Sequence, residues 1–491
     1  MQHHETVFCS TASETAGPGA VYIHDIQSGN ALASFKQTNA ATHCTAFVDS
    51  VDSQGGFILA AQPTKSLLHV YNFQKDQISL KIVLPEKLSC VALDPKGEYA
   101  AGGTANGRLY LWEVSSGVLF HAWDAHYREV TVLRFTQDSA ALISASKDSG
   151  VSVWSISRLL DDDQQNELVV PYCTFSDHTL PVTDLICGAG SFPSCRVLTS
   201  SLDHTVKLWD MSSKSLLTTF QLPKPITCLA WDPTERLFFA ASACGSIHQM
   251  NLFRERQSKV AGHHFEAVGG AGATDNIQFD ADGAAPTNKR LISVGQEVTC
   301  MAFSLTAALL LVGTAAGLIN IYDVASHQLI RSITSHKGFA ITHLATMLRP
   351  PDLVGHVTLT LSLGSTSEAR DVIPVKPVQP FQRMRDPGTR ERHEVSMLLP
   401  SRGSHFEHEE DFVDDLTFMR DHAHFVAPAE ATNDSGALRI RVADLETEVQ
   451  TLREQLGKAK GVNDVMWTNV VQKVIGGGKD ERPRKRGRND A

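Results

Sequence analysis

The stretch 297–303 reads EVTCMAF, and close relatives of it return along the whole chain: HCTAF at 43–47, SCVAL at 89–93, TVLRF at 131–135, TDLIC at 183–187, TCLAW at 227–231 and THLAT at 342–346. The seven copies are spaced mostly 42 to 52 residues apart, with one wider gap before the sixth. A period of this size is the mark of a repeat architecture. The residues after each copy identify the unit. A turn such as DPKGE (94–98), TQDSA (136–140) or DPTER (232–236) leads into a strand of small residues, YAAGG (99–103), ALISAS (141–146) or FFAASA (238–243). A second tight turn, ANGR (105–108), KDSG (147–150), LDHT (202–205) or AAGL (315–318), precedes an alternating strand: LYLWE (109–113), VSVWS (151–155), VKLWD (206–210) or INIYD (319–323). A last turn, as in SSGVLF (115–120), SSKSLL (212–217) or ASHQLI (325–330), feeds a fourth strand.

Four short strands per 40–45 residues describe a propeller blade. The apolar period is two and glycine punctuates the chain every ten residues or so, which excludes a helical repeat. Closure sets the number of blades. The chain begins with TVFCS (6–10) and AVYIHDI (20–26), a blade without its opening strand, and the repeats end with AITHLAT (340–346), an opening strand without its blade. Joining the two leaves no open sheet edge. The sequence therefore predicts an all-β, seven-bladed propeller over residues 6–350, with 254–295 as a surface insertion inside the wide gap.

Several of these stretches resemble the WD-repeat family, above all SSLDHTVKLWD (200–210) and SASKDSGVSVWS (144–155). The resemblance implies a hydrogen-bonded structural tetrad of His, Ser or Thr, Asp and Trp in two blades: His126, Ser144, Asp148 and Trp154, then His178, Thr199, Asp203 and Trp209. Asn106, Cys244 and Ala316 stand at the Asp position elsewhere, so those blades are expected to rest on packing alone.

Composition agrees with a globular core, at 42% hydrophobic and 20% charged residues over 491. A net charge of −10 excludes a surface devoted to phosphate binding. The nine cysteines contain no CxxC pair, and Cys44, Cys90, Cys228 and Cys300 recur inside the repeat. That pattern points to small buried side chains in a reducing compartment. The polar start MQHHET and the absence of a long apolar run predict neither a secretory signal nor a membrane contact, and place the chain in cytosol or nucleus.

Beyond the repeats, 351–430 reads as an extended linker ordered against a partner, with GHVTLTLSLG (355–364) as one further strand. Segment 437–475 reads as a helical dimerisation element. In ALRIRVADLETEVQTLREQLG, Leu438, Leu445 and Leu452 take d positions while Val442, Val449 and Leu456 take a positions, the pattern of a parallel two-stranded coiled coil. The alternative is an amphipathic helix docked on its own propeller. The tail 479–491 carries Arg482, Arg484, Lys485, Arg486 and Arg488, the composition of a nuclear-import signal or an RNA contact.

No GxxxxGK[ST], GxSxG or HExxH occurs. The glycines of GGAGATD (269–275) lack the context of a phosphate loop. His405, His408, His422 and His424 lie among carboxylates but read as solvated rather than metal-binding. The expectation is a protein without catalytic residues, cofactor or metal.

Taken whole, the chain resembles the family of WD-repeat subunits of the nuclear complex that processes the second internal transcribed spacer of pre-ribosomal RNA. The resemblance rests on AHYREVTVLRFTQDSAALISASKD (125–148), LPVTDLICGAG (180–190), VLTSSLDHTVKLW (197–209) and LRIRVADLETEVQTLREQ (438–455). It implies a scaffold in the nucleus that binds sister subunits of the rRNA-processing complex, joins the pre-60S particle and helps engage an AAA ATPase of ribosome assembly. It also leaves room for a secondary role as a chromatin or replication-licensing adaptor. Rival readings are a substrate receptor of a ubiquitin ligase and a propeller hydrolase, the latter disfavoured by the missing acid, base and nucleophile.

Overall fold

A computed structural model describes residues 4–13, 17–50, 54–161, 169–258, 262–268, 275–278, 291–353, 375–385, 447, 449–455 and 458. Seven antiparallel sheets form the ring. Blade one comprises Thr45–Val48, Phe57–Ala61, Leu67–Asn72 and Leu80–Val83. Blade two comprises Leu88–Leu93, Tyr99–Thr104, Arg108–Glu113 and Leu119–Asp124. Blades three and four follow as Val130–Phe135, Ala141–Ser146, Val151–Ser155 and Cys173–Phe175, then Val182–Cys187, Arg196–Ser201, Thr205–Asp210 and Ser215–Gln221. Blade six runs from Val298–Phe303 through Leu309–Thr314 and Ile319–Asp323 to Leu329–Ile333.

The ring closes through blade seven. Its inner strand, Ala340–Leu348, pairs antiparallel with Glu5–Ala12 from the other end of the chain, with Thr6 opposite Met347 and Cys9 opposite Leu344. Ala20–Asp25 and Ala31–Lys36 complete the sheet.

The recurring motif forms the inner strand of every blade, and the structure explains the polar position that returns within it. In blade six, Val298 pairs with Thr314 and Cys300 with Gly313, so Thr299 bulges out of the ladder. The same irregularity falls at Ser89, Thr131, Thr183 and Thr227. A bulge re-aims its side chain, and here each hydroxyl reaches a backbone carbonyl of the next blade. Ser89 donates to Val130 at 2.7 Å, Thr131 to Val182 at 2.9 Å, Thr183 to Ile226 at 2.8 Å and Thr227 to Val298 at 3.4 Å, while Thr299 donates to Ile341. In blade one the Cys44 thiol takes this part toward Ser89, at 3.1 Å. The motif is thus an apolar strand carrying one inter-blade fastener. All nine cysteines are free.

Blade five departs from the regular connection. Ile226–Trp231, Leu237–Ser242 and Ser246–Asn251 are joined by Leu291–Ser293 as outer strand, so the insertion lies between its third and fourth strands. Where a surface loop was expected at 254–295, most of the described residues form strands. Phe253–Ser258 and Gly262–Ala267 pair as a hairpin, and Asp275–Gln278 runs parallel to Ser215–Gln221 as a fifth strand on blade four. Backbone pairing on an exposed edge needs no alternating apolar pattern, which is why the composition gave no sign of it.

The predicted linker also contains an ordered piece, and its partner is the propeller itself. Val375 bridges Gly55, and the amides of Gln379 and Gln382 bond to the carbonyls of Val114 and Gly117 at 3.0 and 2.8 Å. Phe381 is buried and stacks on Trp112 with centroids 5.2 Å apart. Gly117 permits this approach: a Cβ there would lie 2.2 Å from the Pro380 carbonyl oxygen.

The chain divides into two compact units, 1–401 and 402–491. In the second, residues 449–455 are helical, with Val449 and Leu452 exposed. Leu438, Val442, Leu445, Leu456 and the basic residues Arg482, Arg484, Lys485, Arg486 and Arg488 lie outside the described residues, as do His405, His408, His422 and His424.

Candidate interaction face on blades three and four

Strand register brings the tetrad residues together. Ser144 pairs with Ser152, two residues before Trp154, and Thr199 pairs with Lys207, two before Trp209. Period-two alternation sends each Trp to the same side as its hydroxyl partner. Trp154 Nε1 donates to Ser144 Oγ at 3.0 Å, and His126 Nε2 meets the same oxygen at 2.8 Å. His126 Nδ1 lies 3.2 Å from Asp148 Oδ2. In blade four, Trp209 Nε1 donates to Thr199 Oγ1 at 2.8 Å, His178 Nε2 lies 2.8 Å from it, and His178 Nδ1 is 2.9 Å from Asp203 Oδ2.

Each chain of bonds ends on a surface loop. The Asp148 carboxylate accepts the amide of Tyr127 at 3.0 Å and that of Gly150 at 2.9 Å; Asp203 accepts the amides of Thr179 and Thr205 at 3.1 and 2.9 Å. The loop before each inner strand is therefore tied to the turn after the second strand, at the same end of the blade. From these loops Tyr127 projects 98% exposed, accompanied by Leu180 and Leu202 at 47% and 37%. An aromatic ring on a backbone immobilised from below is a low-entropy anchor for a partner. The tetrad histidines and aspartates are bonded to one another, to the Ser144 and Thr199 hydroxyls and to loop amides, which ties the loops to the blade.

The acids carry a pH signature. Burial alone would raise Asp148, but hydrogen bonds from His126 and from the Gly150 and Tyr127 amides outweigh it and hold the carboxyl at about 2, against an ordinary 3.8. Asp203 is depressed for the same reasons. A folded pKa below the unfolded one means stability that is complete above the unfolded value and lost as pH falls through the folded one. For Asp148 this amounts to about 2 kcal/mol, of which roughly half is gone at pH 3. Urea unfolding at pH 6 and pH 3 should show Asp148→Asn to be less stable than the parent by a margin that shrinks by about 1 kcal/mol at the lower pH.

The other blades use different devices. Gly102 stands where blade three has Ser144, and the ring of Trp112 comes within 3.1 Å of where its Cβ would be. The indole N–H donates instead to the carbonyl of Gln382 in the docked segment, at 3.0 Å. In blade one, Tyr71 replaces Trp and its hydroxyl donates to the Lys36 carbonyl at 2.9 Å. Blade two, expected to rest on packing alone, therefore does not. The sequence signal was the pair Gly102 and Trp112, an indole without its usual acceptor.

Near the axis, burial and the charge of Arg134 push His43 and His343 down to about 3, leaving both imidazoles neutral. Asp184 is buried and accepts the amides of Leu185 and Leu229 at 2.8 and 2.9 Å. Among the described residues no helix is long and apolar enough to cross a membrane.

Comparison with known proteins places this geometry among relatives. The WD domain, G-beta repeat family matches residues 117–155, 170–210 and 214–249, which are parts of blades two to five. The chain is 31% identical to the Pre-rRNA-processing protein IPI3 of Mycosarcoma maydis, over 95% of this chain and 96% of the relative. It is 31% identical to the protein of the same name in Yarrowia lipolytica, over 94% and 98%. It is 30% identical to WD repeat-containing protein 18 of Homo sapiens, over 91% and 94%.

Proposed function

Because the chain belongs to the family of WD-repeat pre-rRNA-processing proteins, we propose that it acts in rRNA processing and ribosome biogenesis as a non-catalytic scaffold. The observation that supports this most is the length of the likeness: relatives carrying the pre-rRNA-processing name align over nearly the whole chain, appendages included. The scaffold works in the nucleus, within a complex on the pre-60S particle, and contributes to engaging an AAA ATPase. The heptad of Leu438, Val442, Leu445, Val449, Leu452 and Leu456 supports self-association, and the basic tail at 482–488 supports nuclear import. The face carrying Tyr127 is its contact for a protein partner.

Complementation tests both parts. Cells deprived of the protein should accumulate large-subunit precursors that retain the second internal transcribed spacer, and the wild-type chain should clear them. The Tyr127→Ala, Leu180→Ala variant should fold normally yet recover at least about tenfold less of its partners on affinity purification. Normal spacer processing in deprived cells would overturn the reading. Cullin components in the eluate would favour a ubiquitin ligase.

A further inference from the structure

Blade seven rebuilds the tetrad with metal-binding chemistry. Cys9 pairs with Tyr22 as Ser144 pairs with Ser152, and His24 follows Tyr22 by two residues as Trp154 follows Ser152. His336 lies in the loop before the inner strand, as His126 and His178 do. The hydroxyl has become a thiol, and the indole, which can only donate, has become an imidazole with a lone pair. Elsewhere the hydroxyl position is lost to Ala60, Gly102, Ala240 or Val312. Blade seven alone, among the described blades without a tetrad, keeps polar groups at all three places.

The three side chains converge on one another. Cys9 and His24 are 0% exposed and His336 is 5% exposed. His24 Nε2 lies 2.7 Å from His336 Nε2, Cys9 Sγ lies 3.9 Å from the same nitrogen, and all three ligand atoms fall within 4.8 Å of one another. His24 Nδ1 lies 3.2 Å from the Gly29 carbonyl oxygen, which can only accept. That nitrogen therefore carries the proton, and Nε2 turns its lone pair to the cluster, the arrangement that orients histidine ligands in metal sites. The Tyr22 ring covers His336 at 4.3 Å.

We propose that Cys9, His24 and His336 form a zinc site. One thiolate and two imidazoles suit a borderline-soft ion and exclude calcium or magnesium. Tetrahedral bonds of about 2.3 Å to sulfur and about 2.0 Å to nitrogen place ligand atoms roughly 3.3–3.6 Å apart, so the imidazoles part by well under 1 Å and the thiol closes on His24 by up to about 1.3 Å. On binding, Cys9 gives its thiol proton to solvent while the Nε2 proton of His336 moves to Nδ1, so one proton leaves per ion. Water fills the fourth position. The ion would tie residues 9 and 24 to residue 336, across the ring's closing seam, and so act as a clip on a very long loop.

The experiment uses full-length protein stripped of metal under reducing conditions and titrated with Zn2+ against a chromophoric chelator. Its comparison is Cys9→Ser, His24→Trp, which installs the Ser and Trp of blade three, with Cys9→Ser alone as the milder variant. Wild type should bind one more ion than either variant, with affinity at that site at least about 100-fold above theirs, and its melting temperature should rise with zinc where theirs do not. Cobalt-loaded wild type should show thiolate-to-metal charge transfer that both folded variants lack. Equal zinc stoichiometry in all three proteins, or cobalt spectra without thiolate character, would overturn the proposal and leave a hydrogen-bonded cluster. The comparison cancels zinc held by the exposed Cys244 or by the histidines at 405–424.

Discussion

A chain lacking residues 1–30 should lose the cooperative unfolding transition of the full-length protein and be cut rapidly by protease at temperatures the parent survives. The deletion takes Glu5–Ala12 and Ala20–Asp25, two of the four strands of blade seven, and strips Ala340–Leu348 of its partner. Val7, Phe8, Val21 and Ile23 are all 0% exposed, and burial of such side chains stabilises by about 1.5–3 kcal/mol each. Their sum, roughly 6–12 kcal/mol, approaches the whole stability of an ordinary domain, about 5–15 kcal/mol. The loss is compounded because both neighbours of the gap present unpaired edges. A melting curve unchanged by the deletion would mean that the ring is not closed by its two ends.

The ring was legible because each level of the sequence says the same thing. Alternation in VSVWS and VKLWD, the turns KDSG and LDHT, and the 42–52-residue return of the inner strand all describe one unit. The hydrogen-bonded blades were legible through the resemblance to the WD-repeat family, whose positions the strand register turns into contact. Two features were not. The segment at 375–385 has no periodicity, since what orders it is supplied by Trp112 and Gly117, some 265 residues earlier. The Cys9, His24 and His336 cluster is divided between the two ends of the chain, so no local window contains the pattern. Both become visible only when the blades are superposed position by position. The histidine in TSHKGFAITHL (334–344) was the available clue, in the place of His126 and His178.

That superposition also ranks the blades by how each secures the aromatic position of its third strand. Blades three and four use side-chain hydrogen bonds within the blade, blade two borrows a carbonyl from the docked segment, and blade one borrows one from its neighbour. The loops that expose Tyr127, Leu180 and Leu202 rise from the two blades whose bonds are wholly internal. A contact surface placed there stays fixed whether or not the appendages are engaged.

Blade four should consequently be sensitive to loss of its indole. Trp209→Ala should destabilise the propeller by about 3–5 kcal/mol, as truncation of a buried aromatic does. Trp209 is 2% exposed, packs beside Val197 and Met211, and stacks on Phe175 with centroids 4.5 Å apart and planes 20° from parallel. Trp209→Phe separates packing from hydrogen bonding. It keeps much of the stack but leaves Thr199 Oγ1 without its indole donor, a change of about 1–2 kcal/mol beyond the small loss of volume. Thr199→Val in the Trp209→Phe background should then add less than it does alone, because one of the two side-chain bonds it would remove, that to the indole, is already gone and only that to His178 remains. Full additivity in urea unfolding would show that the indole and hydroxyl do not act together.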